Sequence, residues 1–266
     1  MTRVVIVGAG GRMGHALTRC ARELDEVQVI GAVERPDHPD MGKDTGLVAK
    51  IDETGVTISS DLAAIVSECD VVVDFTLHAA VPGNAAVAAE AGRAMVIGAT
   101  ALNEEETAAV AAAAKKVPIV WAPNMSLGVN LVFAVVRKAA SVFGHGYAVE
   151  IDETHHVHKK DAPSGTALRL GEKVADGLNV DFDTVYVHDE GGTGNIHDRD
   201  KIVIRSHREG EVVGRHTVSF ENEGEKVEFT HNAWSRDAFA MGALRAVQWV
   251  VDQKPRIYDM QDVLEL

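Results

Sequence analysis

The segment ETHHVHKKDAPSGTAL, residues 153–168, gathers His155, His156, His158, Lys159 and Lys160 just ahead of a helix start. Imidazole exchanges protons near neutral pH, and an ammonium group supplies fixed positive charge. His155 and Lys159 are therefore candidates for proton donation and charge stabilisation. Pro163 should end an extended path and Ser164 should cap the following helix. Gly165 and Thr166 would then present first-turn N–H groups suited to a carboxylate or phosphate. Three histidines could also ligate zinc, but the two adjacent ammonium groups oppose a divalent cation, so no metal is expected. Ser164 lacks the G-x-S-x-G context of a nucleophile. A plain capped polar loop accounts for Ser164, yet not for the concentration of His and Lys beside it.

A second group lies at the opposite end of the chain. VVIVGAGGRMG, residues 4–14, has the strand, glycine turn and helix order of a dinucleotide fingerprint. Gly8 and Gly10 occupy its first two glycine positions, while Met13 stands at the sixth, so the spacing is GxGGxxG. Glycine turns also serve strand–helix connections that bind nothing. A carboxylate at the end of the next strand, Glu34, suits ribose hydroxyls, and Arg35 beside it suits a 2′-phosphate. The pair is compatible with both NADH and NADPH. Gly98, Ala99 and Thr100, and likewise Ala122, Pro123 and Asn124, follow further strand patterns, where loops line a ligand crevice. Asp74-Phe75-Thr76 is placed similarly.

These residues need elements to hold them. Apolar runs at 4–7, 27–33, 71–75, 94–97 and 117–121 alternate with helical patterns, including alanine-rich ones near 79–91 and 104–116. That rhythm predicts a doubly wound α/β domain with a parallel sheet covered on both faces. After Asn124 the pattern changes. Residues 126–143 read as a nearly all-apolar helix, which predicts burial between two lobes. Period-two alternation then marks strands at 147–153, 185–187, 202–206, 212–220 and 226–230, an α+β domain with an open mixed sheet. A final helix near 236–251 is expected to return to the first domain. The expected division is 1–125 for the dinucleotide, with 236–266 returning to it, and 126–235 for substrate binding and oligomerisation. GGTGN, 191–195, reads as a mobile loop.

With 266 residues, 46% of them hydrophobic and 25% charged, the chain is globular rather than disordered. A formal charge of −14 with only 5% aromatics disfavours nucleic-acid binding. No continuous apolar run reaches the ~18 residues of a membrane span, so no membrane association is expected. Arg3 with the VVIV run imitates a signal peptide, but Arg12 interrupts it. Cys20 and Cys69 form no disulfide framework and no CxxC pair, which points to a reducing, cytoplasmic setting.

Taken together, GAGGRMG (8–14), DFT (74–76), IGAT (97–100), APN (122–124), HHVHKKDAPSGTAL (155–168) and DMQDVL (259–264) resemble the 4-hydroxy-tetrahydrodipicolinate reductases, formerly dihydrodipicolinate reductases, along the whole chain. The resemblance implies reduction by NADH or NADPH in the diaminopimelate route to lysine, on a small heterocyclic substrate carrying two carboxylates. It implies that Gly8, Ala9, Gly10, Gly11, Arg12 and Met13 wrap the pyrophosphate, and that Glu34 and Arg35 meet the adenosine ribose or its phosphate. Gly98, Ala99, Thr100, Ala122, Pro123, Asn124 and Met125 would position the nicotinamide. His155 would donate or accept a proton, Lys159 would be the general acid, and His156, Gly165 and Thr166 would hold substrate carboxylates. Ala99 departs from the threonine common in relatives. The family also implies a homotetramer joined through the open sheet. An aspartate- or homoserine-type dehydrogenase, or a nicotinamide-binding sensor without turnover, are the alternatives; retention of the whole 155–168 segment weighs against both.

Overall fold

The computed structural model describes residues 1–189 and 198–266; the stretch 191–195, expected to be mobile, lies outside the described residues. The chain divides into two units, one of Met1–Leu127 with Arg236–Glu265, the other centred on Gly128–Ser235.

The first unit contains β1 (Thr2–Val7), α1 (Arg12–Arg22), β2 (Val27–Val33), α2 (Thr45–Val48), β3 (Ile58–Ser59), α3 (Leu62–Ile65), β4 (Val71–Asp74), α4 (Val81–Glu90), β5 (Ala94–Ile97), α5 (Glu104–Ala113) and β6 (Ile119–Trp121). Its sheet runs β12-β6-β5-β4-β1-β2-β3, every pair parallel, with β12 (Ile257–Tyr258) supplied by the C-terminal segment. The strands read as unbroken apolar runs because both faces are buried. Val4, Ile6, Val71, Val73, Val96 and Val120 face the first helix layer, while Val5, Val7, Val72, Met95, Ile97 and Ile119 face the second. The order reverses between β1 and β4, and the crevice of such a sheet opens beyond the strand ends at that point.

The second unit holds α6 (Leu127–Phe143), β7 (Ala148–His155), α7 (Gly165–Leu178), α8 (Phe182–Val185), β8 (Tyr186–His188), β9 (Ile202–Arg208), β10 (Gly214–Glu221) and β11 (Lys226–Ala233). Its mixed sheet has the order β11-β10-β7-β9-β8, with β10 antiparallel to both neighbours. Val149 and Ile151 of β7, Ile202 and Ile204 of β9, and Val218 and Phe220 of β10 share one core with α6 and α7. In β11 exposed and half-buried residues alternate, consistent with an open face. The chain then enters α9 (Asp237–Val250) and α10 (Met260–Leu264) in the first unit.

Several expectations are corrected. The helix α6 is not buried all round: Val129, Phe133, Val136 and Ala140 form one core stripe, while Leu131 is 50% and Val142 68% exposed. By length and composition Leu127–Gly146, with mean hydropathy 1.5, could cross a membrane. Of that window 28% is buried, along the stripe that packs into the core of this unit, and Arg137 and Lys138 interrupt its apolar run. The strand expected at 212–220 begins at Gly214, because Val212 N–H turns back to Glu209 O. The short elements between Glu34 and Val71 were not anticipated. Asp44 organises the first of them by accepting from the N–H groups of Gly46, Leu47, Thr54 and Gly55.

Close packing of α9 depends on one glycine. A Cβ on Gly242 would sit 1.7 Å from Met125 O, backbone that has no room to yield, whereas one on Gly83 of α4 meets nothing within 4 Å. Gly242→Ala is expected to cost more than about 2 kcal/mol, and Gly83→Ala to stabilise by roughly 0.5–1 kcal/mol. Urea denaturation of the two variants checks this; equal effects would contradict the packing described.

Candidate active site

In the first unit, the glycine turn leaves β1 at Gly8, whose φ of +84° favours glycine. Its amides are largely spoken for. Gly8 and Ala9 both donate to Val33 O, Gly11 donates to Gly8 O, and Gly10 donates to Glu34 Oε2 at 3.1 Å. The first-turn amides of Arg12 and Met13, by contrast, have no acceptor within the chain among the described residues. They are among the donors left for an anion at this turn. A Cβ on Gly14 would lie 2.4 Å from Gly8 O, so that glycine keeps α1 tight against the turn.

A cleft of about 670 Å³ borders the turn, lined among others by Gly8, Glu34, Arg35, His38, Thr76 and Asn84. Glu34 also accepts from Arg35 N–H at 3.0 Å, so its carboxylate ties the end of β2 to the turn. The Arg35 guanidinium is exposed and only loosely paired with Asp37 at 3.3 Å. The His38 ring lies against Gly10, where a Cβ would come within 2.3 Å of it. The turn that a Cβ would fill, the free first-turn amides and the Glu34–Arg35 edge fit a dinucleotide.

The loops after β4, β5 and β6 knit together beside it. Gly98 N–H donates to Asp74 O, Ala122 N–H to Ile97 O, and Trp121 Nε1 to Ala99 O at 3.2 Å. The Ala99 carbonyl thus has a structural partner, and Thr100 is exposed. Pro123 is exposed, Asn124 turns its Oδ1 to Ser126 N–H, and Met125 buries its side chain, leaving backbone as its contribution. Asp74 is fully buried and accepts from Thr76 N–H, Thr76 Oγ and Asn84 Nδ2; burial nonetheless pushes its carboxyl above the ordinary value.

The second unit assembles the other group. In β7 residues 149, 151, 153 and 155 share one face, so the apolar core gives way to Glu153 and His155 at the strand's carboxyl end. Register places His216 of β10 opposite Glu153, and Arg208 of β9 opposite His155. Ser164 caps α7 through Ala167 N–H, as the sequence indicated, and lies 3.2 Å from His216 Nε2. Glu153 is 0% exposed, with Oε2 at 2.5 Å from His155 Nδ1 and Oε1 at 3.2 Å from Arg208 Nη1. Burial pushes the Glu153 carboxyl up, but the close approach of His155, Ser206 and Ser164 outweighs it and holds the group well below its ordinary value. Burial, reinforced by His155, pushes His216 down to about 3, so it stays neutral. Lys159 is half-buried and paired with the more exposed Asp161 at 2.7 Å. His156 keeps a buried Nδ1 without a partner among the described residues, and Gly165 is exposed.

Glu153, His155 and His216 place one potential metal-ligating atom each within 4.8 Å of the others. The 2.5 Å approach of Glu153 to His155 is closer than two ligands of one ion sit, and the Arg208 charge opposes a cation.

Sequence reasoning missed Arg208, His216 and His38, which only strand register or the fold of a loop brings into place, and it missed Glu153, although alternation along β7 sets it on the same face as His155. It also missed Arg236, the N-cap of α9, whose pKa burial and the charge of Arg12 both lower. A cation at a helix N-terminus opposes the macrodipole, and that misplacement was a readable signal.

Residues 2–125 match the family described as "Dihydrodipicolinate reductase, N-terminus", and residues 128–264 match "Dihydrodipicolinate reductase, C-terminus". The chain belongs to the dihydrodipicolinate reductase family. Its relatives include the 4-hydroxy-tetrahydrodipicolinate reductase of Anaeromyxobacter dehalogenans, 49% identical over 266 residues, covering 100% of this chain and 98% of that one. The enzyme of the same name from Citrifermentans bemidjiense is 44% identical over 266 residues, with 100% of both chains covered. The dipicolinate-bound dihydrodipicolinate reductase of Paenisporosarcina sp. shares the fold with a TM-score of 0.76 at 22% identity, over 98% of each chain. Membership in the dihydrodipicolinate reductase family makes the protein an NAD(P)H-dependent oxidoreductase.

The buried neutral His216 has a consequence for this reductase's acid stability. In the unfolded chain His216 binds a proton near pH 6.5, and in the native state only near pH 3, so its contribution is full above pH 6.5 and is lost progressively below it. Between pH 6 and 4 the wild type should lose about 1 kcal/mol per pH unit more than His216→Asn. Chemical denaturation across that range tests it, and parallel slopes would contradict the assignment.

Proposed function

We propose that the protein reduces 4-hydroxy-tetrahydrodipicolinate to tetrahydrodipicolinate in the diaminopimelate route to lysine, using NADH or NADPH. The observation that carries this reading is the segment 155–168, which joins a carboxylate-backed imidazole, a half-buried ammonium and a capped helix start. In the first unit, the amides of Arg12 and Met13 would hold the pyrophosphate, within the turn formed by Gly8, Ala9, Gly10 and Gly11. Glu34 would meet the ribose hydroxyls and Arg35 a 2′-phosphate. Backbone of Gly98, Ala99, Thr100, Ala122, Pro123, Asn124 and Met125 would orient the nicotinamide. Bound there, a reduced nicotinamide supplies hydride.

In the second unit, His156 and the amides of Gly165 and Thr166 would hold the two substrate carboxylates. Negative charge that develops on an unsaturated ring during reduction needs a positioned acid. Lys159 is read as that acid, since its half-buried ammonium lies on the same segment as His155. His155 is read as the partner that donates or accepts a proton, its ring oriented by Glu153. Arg236 beside Arg12 adds positive charge that an anionic ligand would relieve. The accompanying reading is a cytoplasmic homotetramer joined through the open face of the five-stranded sheet. The two buried free cysteines support a reducing compartment.

A coupled assay tests the function. The fresh condensation product of pyruvate and aspartate semialdehyde is added, and NADH or NADPH is followed at 340 nm. Rapid oxidation is expected; none, with cofactor binding intact, would overturn the reading. Lys159→Ala should lower kcat at least about a hundredfold while cofactor Kd stays near wild type. Arg35→Ala should weaken NADPH by roughly tenfold and leave NADH within about twofold, measured by fluorescence titration.

A further inference from the structure

We propose that Arg208 is a positioning residue that fixes the placement of Lys159 relative to His155. The proposal rests on reading those two residues as the groups that move protons.

Arg208 ends β9 and is in register with His155, on the same face of the sheet. Its guanidinium spreads over four acceptors. Nε donates to Lys159 O at 3.2 Å, Nη2 to Asp161 O at 2.5 Å, and Nη1 to both Glu153 Oε1 at 3.2 Å and His207 O at 2.7 Å. Glu153 Oε1 also accepts from Ser164 N–H, and Oε2 contacts His155 Nδ1. One planar cation therefore reaches His155 through a buried carboxylate and Lys159 through its own backbone.

The segment between those residues has few other ties. Backbone pairing of Glu209 N–H with His155 O, and of Val157 N–H with Gly210 O, anchors its beginning. Ser164, capping α7, anchors its end. Across 158–162, Lys159 N–H turns back to His156 O, His158 pairs with Glu211 on the surface, and the Lys159 ammonium pairs with the exposed Asp161. Among the described residues, the guanidinium on the Lys159 and Asp161 carbonyls is what connects this stretch to the sheet. Five donors in a rigid fork can do this, and a lysine ammonium in the same place cannot span the same acceptors. A displacement of about 1 Å in an acid is enough to cost two orders of magnitude in rate. Loss of the fork would therefore appear in proton delivery ahead of cofactor binding.

The full-length Arg208→Lys and Arg208→Gln variants separate positioning from mere support of the fold. Turnover would be measured in H2O and D2O, with protiated and 4-deuterated cofactor, alongside cofactor Kd. Arg208→Lys is expected to lower kcat by about tenfold to a hundredfold, to keep cofactor Kd within about twofold, and to raise the solvent isotope effect as the cofactor isotope effect falls. A kcat within twofold of wild type in both variants would overturn the proposal. So would a fall in kcat with both isotope effects unchanged, which signals fewer active molecules. If Arg208→Gln does not fold, Arg208→Lys decides together with hydrogen exchange. The amides of residues 157–161 should exchange at least about tenfold faster, and wild-type protection would overturn the clamp. A wild-type enzyme inert towards the substrate would instead sink the functional reading, while the exchange result still stands on its own.

Discussion

A carboxylate at the end of a core strand constrains everything around it. Glu153 follows Val149 and Ile151 on the same face of β7, so the alternation that buries those apolar side chains also buries a charge. An isolated ion in such a place would be expelled or protonated. It is kept ionised by a guanidinium from β9, the amide at the start of α7 and the ring of His155. Each partner belongs to a different element. The charge therefore fixes the end of the sheet, the helix start and the intervening segment against one another. Replacing any one partner leaves the others facing a buried anion, which makes the cluster cooperative.

The same logic separates the two histidines of the cluster. His155 stands against the carboxylate, whereas His216, opposite Glu153 in register, is neutral because burial and the nearby cationic groups oppose a second proton. His216 then serves Ser164, whose hydroxyl also accepts from Ala167 N–H and completes the helix cap. Two imidazoles about 5 Å apart thus take different duties from their surroundings, one beside an anion and one against a neutral hydroxyl.

How much of this was legible in the sequence follows from the range over which each signal acts. The strands β1, β2, β4 and β5 were readable because burial on both faces writes unbroken apolar runs. Ser164 was readable because a cap acts within three residues. Residues such as Arg208 and His216 were not, because register between strands distant in sequence brings them to Glu153. The helix α6 misled for a related reason. Its composition is apolar throughout, but only the stripe at 129, 133, 136 and 140 meets the core, and composition carries no phase. At the glycine turn the residue types signalled a phosphate site, yet spacing could not tell which amides remain available. Hydrogen bonds to Val33 O, Gly8 O and Glu34 withdraw four of them and leave first-turn amides, those of Arg12 and Met13 included.

Where charge is left uncompensated is as informative as where it is balanced. Asp44 collects four backbone amides, Asp74 has three donors, and Glu153 has a guanidinium, an amide and an imidazole. In a chain of formal charge −14, carboxylates outnumber cations, 40 to 26, so a basic group has no shortage of possible partners. Arg236 is nonetheless drawn partly out of water at a helix N-terminus and set against Arg12, the arrangement that both burial and the dipole disfavour. Folding alone gives no reason to place two guanidinium groups there, because a neutral cap would stabilise α9 better. An anionic cofactor bound as proposed above would offset that unfavourable energy. On the cofactor reading proposed above, these guanidinium groups are where the charge of a ligand would complete the electrostatics of this unit.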